Sequence, residues 1–106
     1  MPHLVSSLHS VYKVIRIPGG KTLEITMTVD EECKIVYISI SGDFFVYPPE
    51  ALEMLERELQ GCSNTDCITN MVSRTHKSAK ALGFTWKQLA ETITKLYRTA
   101  CSSTDT

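Results

Sequence analysis

The sequence predicts an α+β fold in which a three-stranded antiparallel meander packs against about three C-terminal helices. Two observations carry this. Apolar residues recur at every second position between Leu23 and Val29, which is the period of a half-buried strand. From Leu52 onward they recur at three- and four-residue spacing, which is the period of an amphipathic helix. Strands come first and helices after, the order that separates α+β domains from alternating α/β ones.

Residues 1–10 are rich in Ser and His without periodicity and read as a flexible lead-in. Val11 to Ile17 is β-branched and apolar, and stops at Pro18-Gly19-Gly20, a turn cluster that permits positive φ. In the next strand Leu23, Ile25, Met27 and Val29 share one face, with Thr22, Glu24, Thr26 and Thr28 on the other. Asp30 to Lys34 is a polar connection of hairpin length, and Val36, Ile38 and Ile40 define one face of a third strand from Ile35 to Ser41.

Pro48-Pro49 opens a helix running to about Gln60, since proline in a first helical turn sacrifices no needed N–H. Leu52, Leu55 and Leu59 form its apolar stripe, Glu53 and Arg57 pair at i,i+4, and Gly61 suits the C′ position. Ile68, Met71 and Val72 predict a second helix, which the polar run His76-Lys77-Ser78 ends early in favour of a connector. Thr85 and Gln88 form a capping box, with Phe84 positioned to staple onto Leu89. The last helix follows, with Leu89, Ile93, Leu96 and Tyr97 as its buried stripe and a flexible tail from Ala100. The ordered domain is therefore taken as residues 11–98, with 99–106 as tail.

The 106 residues leave room for one core, burying about two-thirds of the surface the unfolded chain exposes. With 11 basic and 12 acidic residues interspersed along the chain, no basic stripe tracks phosphates, so nucleic acid is not an expected partner. No basic segment precedes a long apolar run at the start, and no apolar run reaches membrane-spanning length, so a cytoplasmic protein without a membrane partner is expected. Cys33, Cys62, Cys67 and Cys101 can pair in three ways; without a secretory signal the expectation is reduced thiols and no structural disulfide.

Common catalytic signatures are missing: no P-loop, GxSxG elbow, HExxH or dinucleotide fingerprint. Cys62-x4-Cys67 is the nearest approach to a metal pair, but the spacing is not CxxC and the next histidine is His76, so two thiols flanking a helix junction is the plainer reading. His3, His9 and His76 lie in weakly patterned stretches and read as solvated. Cys33 and Cys101 have no clustered cations or helix N-terminus to activate them.

Gly19, Gly20 and Lys21 form a ligand-proximal candidate, because glycines let a backbone approach a ligand and lysine supplies a mobile cation. A hairpin turn with a solvated lysine explains the same residues. Gly42, Asp43, Phe44 and Phe45 form a partner-interface candidate. Two adjacent aromatics in extended chain point opposite ways, so one ring leaves the domain's own core unless both tuck under the first helix. Glu50, Glu53, Glu56 and Glu58 read as the solvated side of that helix.

Taken in order, Ile17-Pro18-Gly19-Gly20-Lys21, Ile40-Ser41-Gly42-Asp43-Phe44-Phe45, Pro49-Glu50-Ala51-Leu52 through Gly61, and Leu82-Gly83-Phe84-Thr85 resemble the C-terminal accessory domain of lipoate–protein ligases over roughly residues 11–98. The resemblance implies a fold similar to sulfur-transfer and iron–sulfur scaffold proteins, and a partner: a separate catalytic large subunit in the split, two-polypeptide form. In that family the large part binds lipoate and ATP with Mg, makes lipoyl-adenylate, and passes the lipoyl group to a lysine of an acceptor lipoyl domain. The accessory part is required for activation and moves relative to the large one. By this resemblance the chain binds no cofactor by itself, has no catalytic residue or metal of its own, and is inactive alone. An alternative class, a sulfur or iron–sulfur carrier using Cys62 and Cys67, stays open beside it, as does an adaptor with no part in lipoylation.

Overall fold

The computed structural model describes residues 8–19 and 21–103. Strands β1 (His9–Ile17), β2 (Lys21–Val29) and β3 (Ile35–Gly42) are followed by β4 (Phe45–Tyr47), α1 (Glu50–Leu59), α2 (Thr65–Ser78), β5 (Lys80–Leu82) and α3 (Trp86–Ser103). The first three form an antiparallel sheet in the order β1-β2-β3, with α1 packed against β3 and α3 against β1 and β2. This is the predicted α+β meander with three helices. A second, two-stranded antiparallel sheet of β4 and β5 has no counterpart in the sequence reading.

Leu23, Ile25, Met27 and Val29 are all buried, so β2 alternates as its sequence indicates. The grouping in β3 is corrected. Val29 lies opposite Ile35 but Thr28 lies opposite Tyr37, so Val36 is the extra residue of a bulge. The bulge turns Ile35 into the core beside Ile38 and Ile40 and leaves Val36 exposed. In the hairpin before it, the Asp30 carboxylate accepts from the backbone N–H groups of Lys34 and Glu32, both at 2.9 Å, while Cys33 takes φ 62°. The Lys34 N–H, foremost, holds the Asp30 carboxyl below its usual range.

β1 begins at His9, inside the segment read as a lead-in, because its pairing extends to His9 opposite Val29 and the Ser10 and Thr28 hydroxyls meet at 2.7 Å. At the other end α3 passes the expected tail boundary and continues through Ala100, which is fully buried. His3 and Gly20 lie outside the described residues.

In α1, Leu55 and Leu59 are buried and Gly61 takes φ 100° just beyond the helix. Gly61 N–H donates to Ile35 O at 2.7 Å, and Ile35 N–H donates to Cys62 O at 2.8 Å, fastening the helix exit to β3. Glu56 departs from the expected solvated row: half-buried, it accepts from Ile40 N–H at 2.7 Å on the edge of β3. Burial raises its pKa above the usual carboxylate value, partly offset by the Ile40 N–H.

Asn64 caps α2, its side-chain oxygen accepting from Cys67 N–H at 2.8 Å. The helix does not end early as expected. Thr75 is buried with its hydroxyl donating to Met71 O at 3.2 Å, so Ile68, Val72 and Thr75 carry the buried stripe up to the polar run and buried Ala79 resumes it just after Ser78. His76 stacks on Trp86 with ring centroids 6.3 Å apart. The capping box at α3 is present: Thr85 N–H donates to Gln88 Oε1 at 2.8 Å, and Gln88 N–H to Thr85 Oγ1 at 3.0 Å. Tyr97, buried on α3, donates its hydroxyl to Cys33 O at 2.7 Å, and burial above all raises its pKa.

Candidate functional site

The two motifs singled out in the sequence meet at one end of the main sheet. Lys21 opens β2, opposite Ile17, and is exposed; Gly19 turns the chain before it with φ 103°. Beside Lys21, Thr22 offers its carbonyl to Asp43 N–H at 2.9 Å, while Gly42 pairs with Leu23. Gly42 has φ 144°, and a Cβ there would collide with the Thr22 carbonyl oxygen. Only glycine permits this approach, so the Gly42-Asp43 corner is pinned against the strand that begins with Lys21.

Gly83 closes the corner from the other side. Its φ is 112°, and a Cβ would lie 2.8 Å from Phe44 Cβ and 3.1 Å from Asp43 O. Held there, Phe44 turns inward and meets Phe84 edge to face at 5.0 Å, with Phe84 meeting Trp86 at 5.3 Å. Phe45 points the other way and is 74 % exposed.

Phe45 does not stand alone. It pairs with Leu82 across the small sheet, and Tyr47 follows two residues on, placing its ring on the same face. Leu82 is 70 % and Tyr47 75 % exposed, so Phe45, Tyr47 and Leu82 form a contiguous apolar patch. Val46 and Ala81, which alternate with them, are the partly buried pair that seats this sheet on the core. Sequence reading named Phe45 but missed Tyr47 and Leu82. The period-two alternation of Phe45, Val46 and Tyr47 was a usable signal for Tyr47, whereas Leu82 is recruited by pairing with Phe45 at a sequence separation of 37.

The cysteines are corrected. Cys62 and Cys67 form a disulfide joining the α1–α2 connection to the first turn of α2, with Cα atoms 5.6 Å apart. The short α1–α2 connection and the Asn64 cap fold the chain back within bridging distance. Cys62 is buried, and in this form neither sulfur offers a thiolate. Among the described residues no three His, Cys, Asp or Glu side chains are grouped to hold a metal ion. None of the described helices is long and apolar enough to cross a membrane.

No family model and no curated protein matches the chain. Its structure is similar to a chain from an archaeal lipoylation system of Thermoplasma acidophilum, a bi-partite lipoate protein ligase and its E2 lipoyl domain. The identity is 22 % and the TM-score 0.62, over 82 % of this chain and 94 % of that one. The two chains therefore share a fold from end to end of the archaeal one.

Proposed function

We propose that this chain is the accessory subunit of a two-component lipoate–protein ligase, required for ATP-dependent activation of lipoate to lipoyl-adenylate on a separate catalytic subunit. The observation that carries the reading is the fold shared with a chain of the archaeal bi-partite ligase system, which this chain matches over nearly its whole length. In this reading the exposed Phe45, Tyr47 and Leu82 dock onto the catalytic subunit, with Gly42 and Asp43 fixing the corner and Phe44 anchoring it to the core. ATP, Mg and lipoate are bound by the complex, and the lipoyl group then passes to a lysine of an acceptor lipoyl domain.

Gly19, Gly20 and Lys21 are the residues this chain brings near the activation step. Adenylation redistributes negative charge at the α-phosphate and releases pyrophosphate. A lysine carried in on a closing domain neutralises that charge while the closure excludes water. The pinning of the Gly42-Asp43 corner beside Thr22 couples the docking patch mechanically to Lys21, so seating the patch also sets the height of the turn.

The test is pyrophosphate release from ATP and lipoate. The chain alone is expected to give none, the catalytic subunit alone little, and the mixture robust turnover at equimolar ratio. Turnover by the chain alone, or a catalytic subunit indifferent to its addition, overturns the reading.

A further inference from the structure

A second surface lies away from the docking corner, along the free edge of the main sheet. Among the described residues β1 pairs only with β2, and the other edge of its nine residues is unpaired there. Between that edge and α3 runs an open groove of about 780 Å³. Its walls include the apolar side chains of Val11, Ile15, Ile17 and Leu96. Lys13, Arg16 and Lys95 stand along it, all exposed. A shallower hollow of about 450 Å³ between α2 and α3 shares Glu91 and Lys95 with the groove and adds Lys87 and Arg98.

Five of the 11 basic residues thus border one continuous surface, and Glu91 is the one carboxylate lining it among the described residues. Most of the other acids lie elsewhere, on α1 with Glu50, Glu53, Glu56 and Glu58 and on the β2–β3 hairpin with Asp30, Glu31 and Glu32; Glu24, which accepts from the groove residue Tyr12 at 2.9 Å, is the nearby exception. Such segregation gives the β1–α3 face a positive potential that a net charge of −1 conceals.

We propose that this groove receives an extended acidic polypeptide segment of a partner protein, which adds to β1 as a fourth strand. Three features select that occupant. The unpaired edge offers backbone N–H and C=O groups in strand register, the geometry of peptide capture by strand addition. Alternate side chains of an added strand point into the trough, where they meet Val11, Lys13 and Ile15 of β1 and Lys95 of α3, and the remaining ones lie on the far face beside Arg16. Finally, an edge strand of this length invites pairing, and basic residues on it repel a second basic edge, such as that of another copy, while attracting an acidic strand. The proposal stands whether or not the lipoylation reading does, since it needs neither the docking patch nor Lys21.

A nine-residue peptide alternating glutamate with valine, matched in length to β1, is the probe, titrated into the isotopically labelled full chain. Amide shifts are expected along β1 and the facing side of α3, with new exchange protection in β1 and affinity falling as salt rises. The Lys13→Glu, Lys95→Glu double variant should bind about tenfold or more weakly with its melting temperature unchanged. Methylating alternate amides of the peptide should abolish binding, because it removes the strand's hydrogen bonds and leaves its charge. Equal binding of the methylated peptide, equal binding of a lysine–valine peptide, shifts centred on Phe45 and Leu82, or no binding at all overturns the proposal. Tighter binding of a single-stranded oligonucleotide to the same surface overturns it as well, assigning the surface to phosphate instead.

Discussion

The opposite orientation of two adjacent phenylalanines makes a quantitative prediction that separates folding from association. Phe44 is half-buried and meets Phe84 edge to face, so Phe44→Ala removes part of a core side chain. Full core truncation of phenylalanine costs about 3–5 kcal/mol, and half of that, about 2 kcal/mol, suits a half-buried ring. In a domain of this size that lowers the melting temperature by roughly 8–16 °C. Phe45 is 74 % exposed, so Phe45→Ala should change stability by no more than about 0.5 kcal/mol. On the proposed function, its effect belongs to the complex with the catalytic subunit. An aromatic of this size at an interface covers on the order of 150 Å², of which alanine keeps about a third, and the remainder at about 25 cal/mol per Å² is worth roughly 2–3 kcal/mol. The dissociation constant should then weaken about 30- to 150-fold. Thermal melts of the isolated variants and titration calorimetry against the catalytic subunit measure the two effects independently. Association unaltered in Phe45→Ala, or a melting loss as large as that of Phe44→Ala, refutes the assignment of this patch as the docking face.

Three further outcomes follow from named contacts. Lys21→Ala should leave folding and association intact and slow lipoyl-adenylate formation by about 30- to 1,000-fold, the scale of one deleted charge contact, while transfer from pre-made lipoyl-adenylate proceeds normally; equal slowing of both half-reactions removes Lys21 from activation. Gly42→Ala should destabilise the fold by about 2–4 kcal/mol in chemical denaturation, since the new Cβ meets the Thr22 carbonyl at a φ that L residues avoid; a loss within experimental error shows that the corner can relax. Glu56 has a folded pKa above its unfolded value, so its ionisation favours the unfolded chain, and stability declines as pH rises from about 4.3 through the folded pKa. Glu56→Gln keeps an acceptor for Ile40 N–H and should flatten that decline as pH rises above the ordinary carboxylate range; an unchanged slope assigns it to another group.

Much of the architecture was legible because its signals are local. The alternation in β2, the proline entry and glycine exit of α1, and the Thr85–Gln88 box each lie within a few residues, where period and capping chemistry act. The end of α2 was misread because Thr75, a polar residue by type, is buried and continues the stripe by bonding to Met71 O. Val36 was misplaced because a bulge shifts the register by one residue, which composition does not announce. The candidate site was legible in its two motifs and in the division of labour between Phe44 and Phe45. Its enlargement by Tyr47 and Leu82 was not.

By itself the sequence determined the three long strands, the starts of the helices and the glycine exit of α1, because backbone sterics and side-chain period are properties of neighbouring residues. Only the tertiary structure decided what remote residues do together. It closed Cys62 onto Cys67, brought Leu82 beside Phe45, and set Glu56 against the edge of β3. It also sorted charges that alternate along the chain into a basic β1–α3 face and an acidic α1 and hairpin. Distance in space governs pairing, burial and electrostatic potential, and that distance is set by packing of the whole core rather than by any single stretch of it.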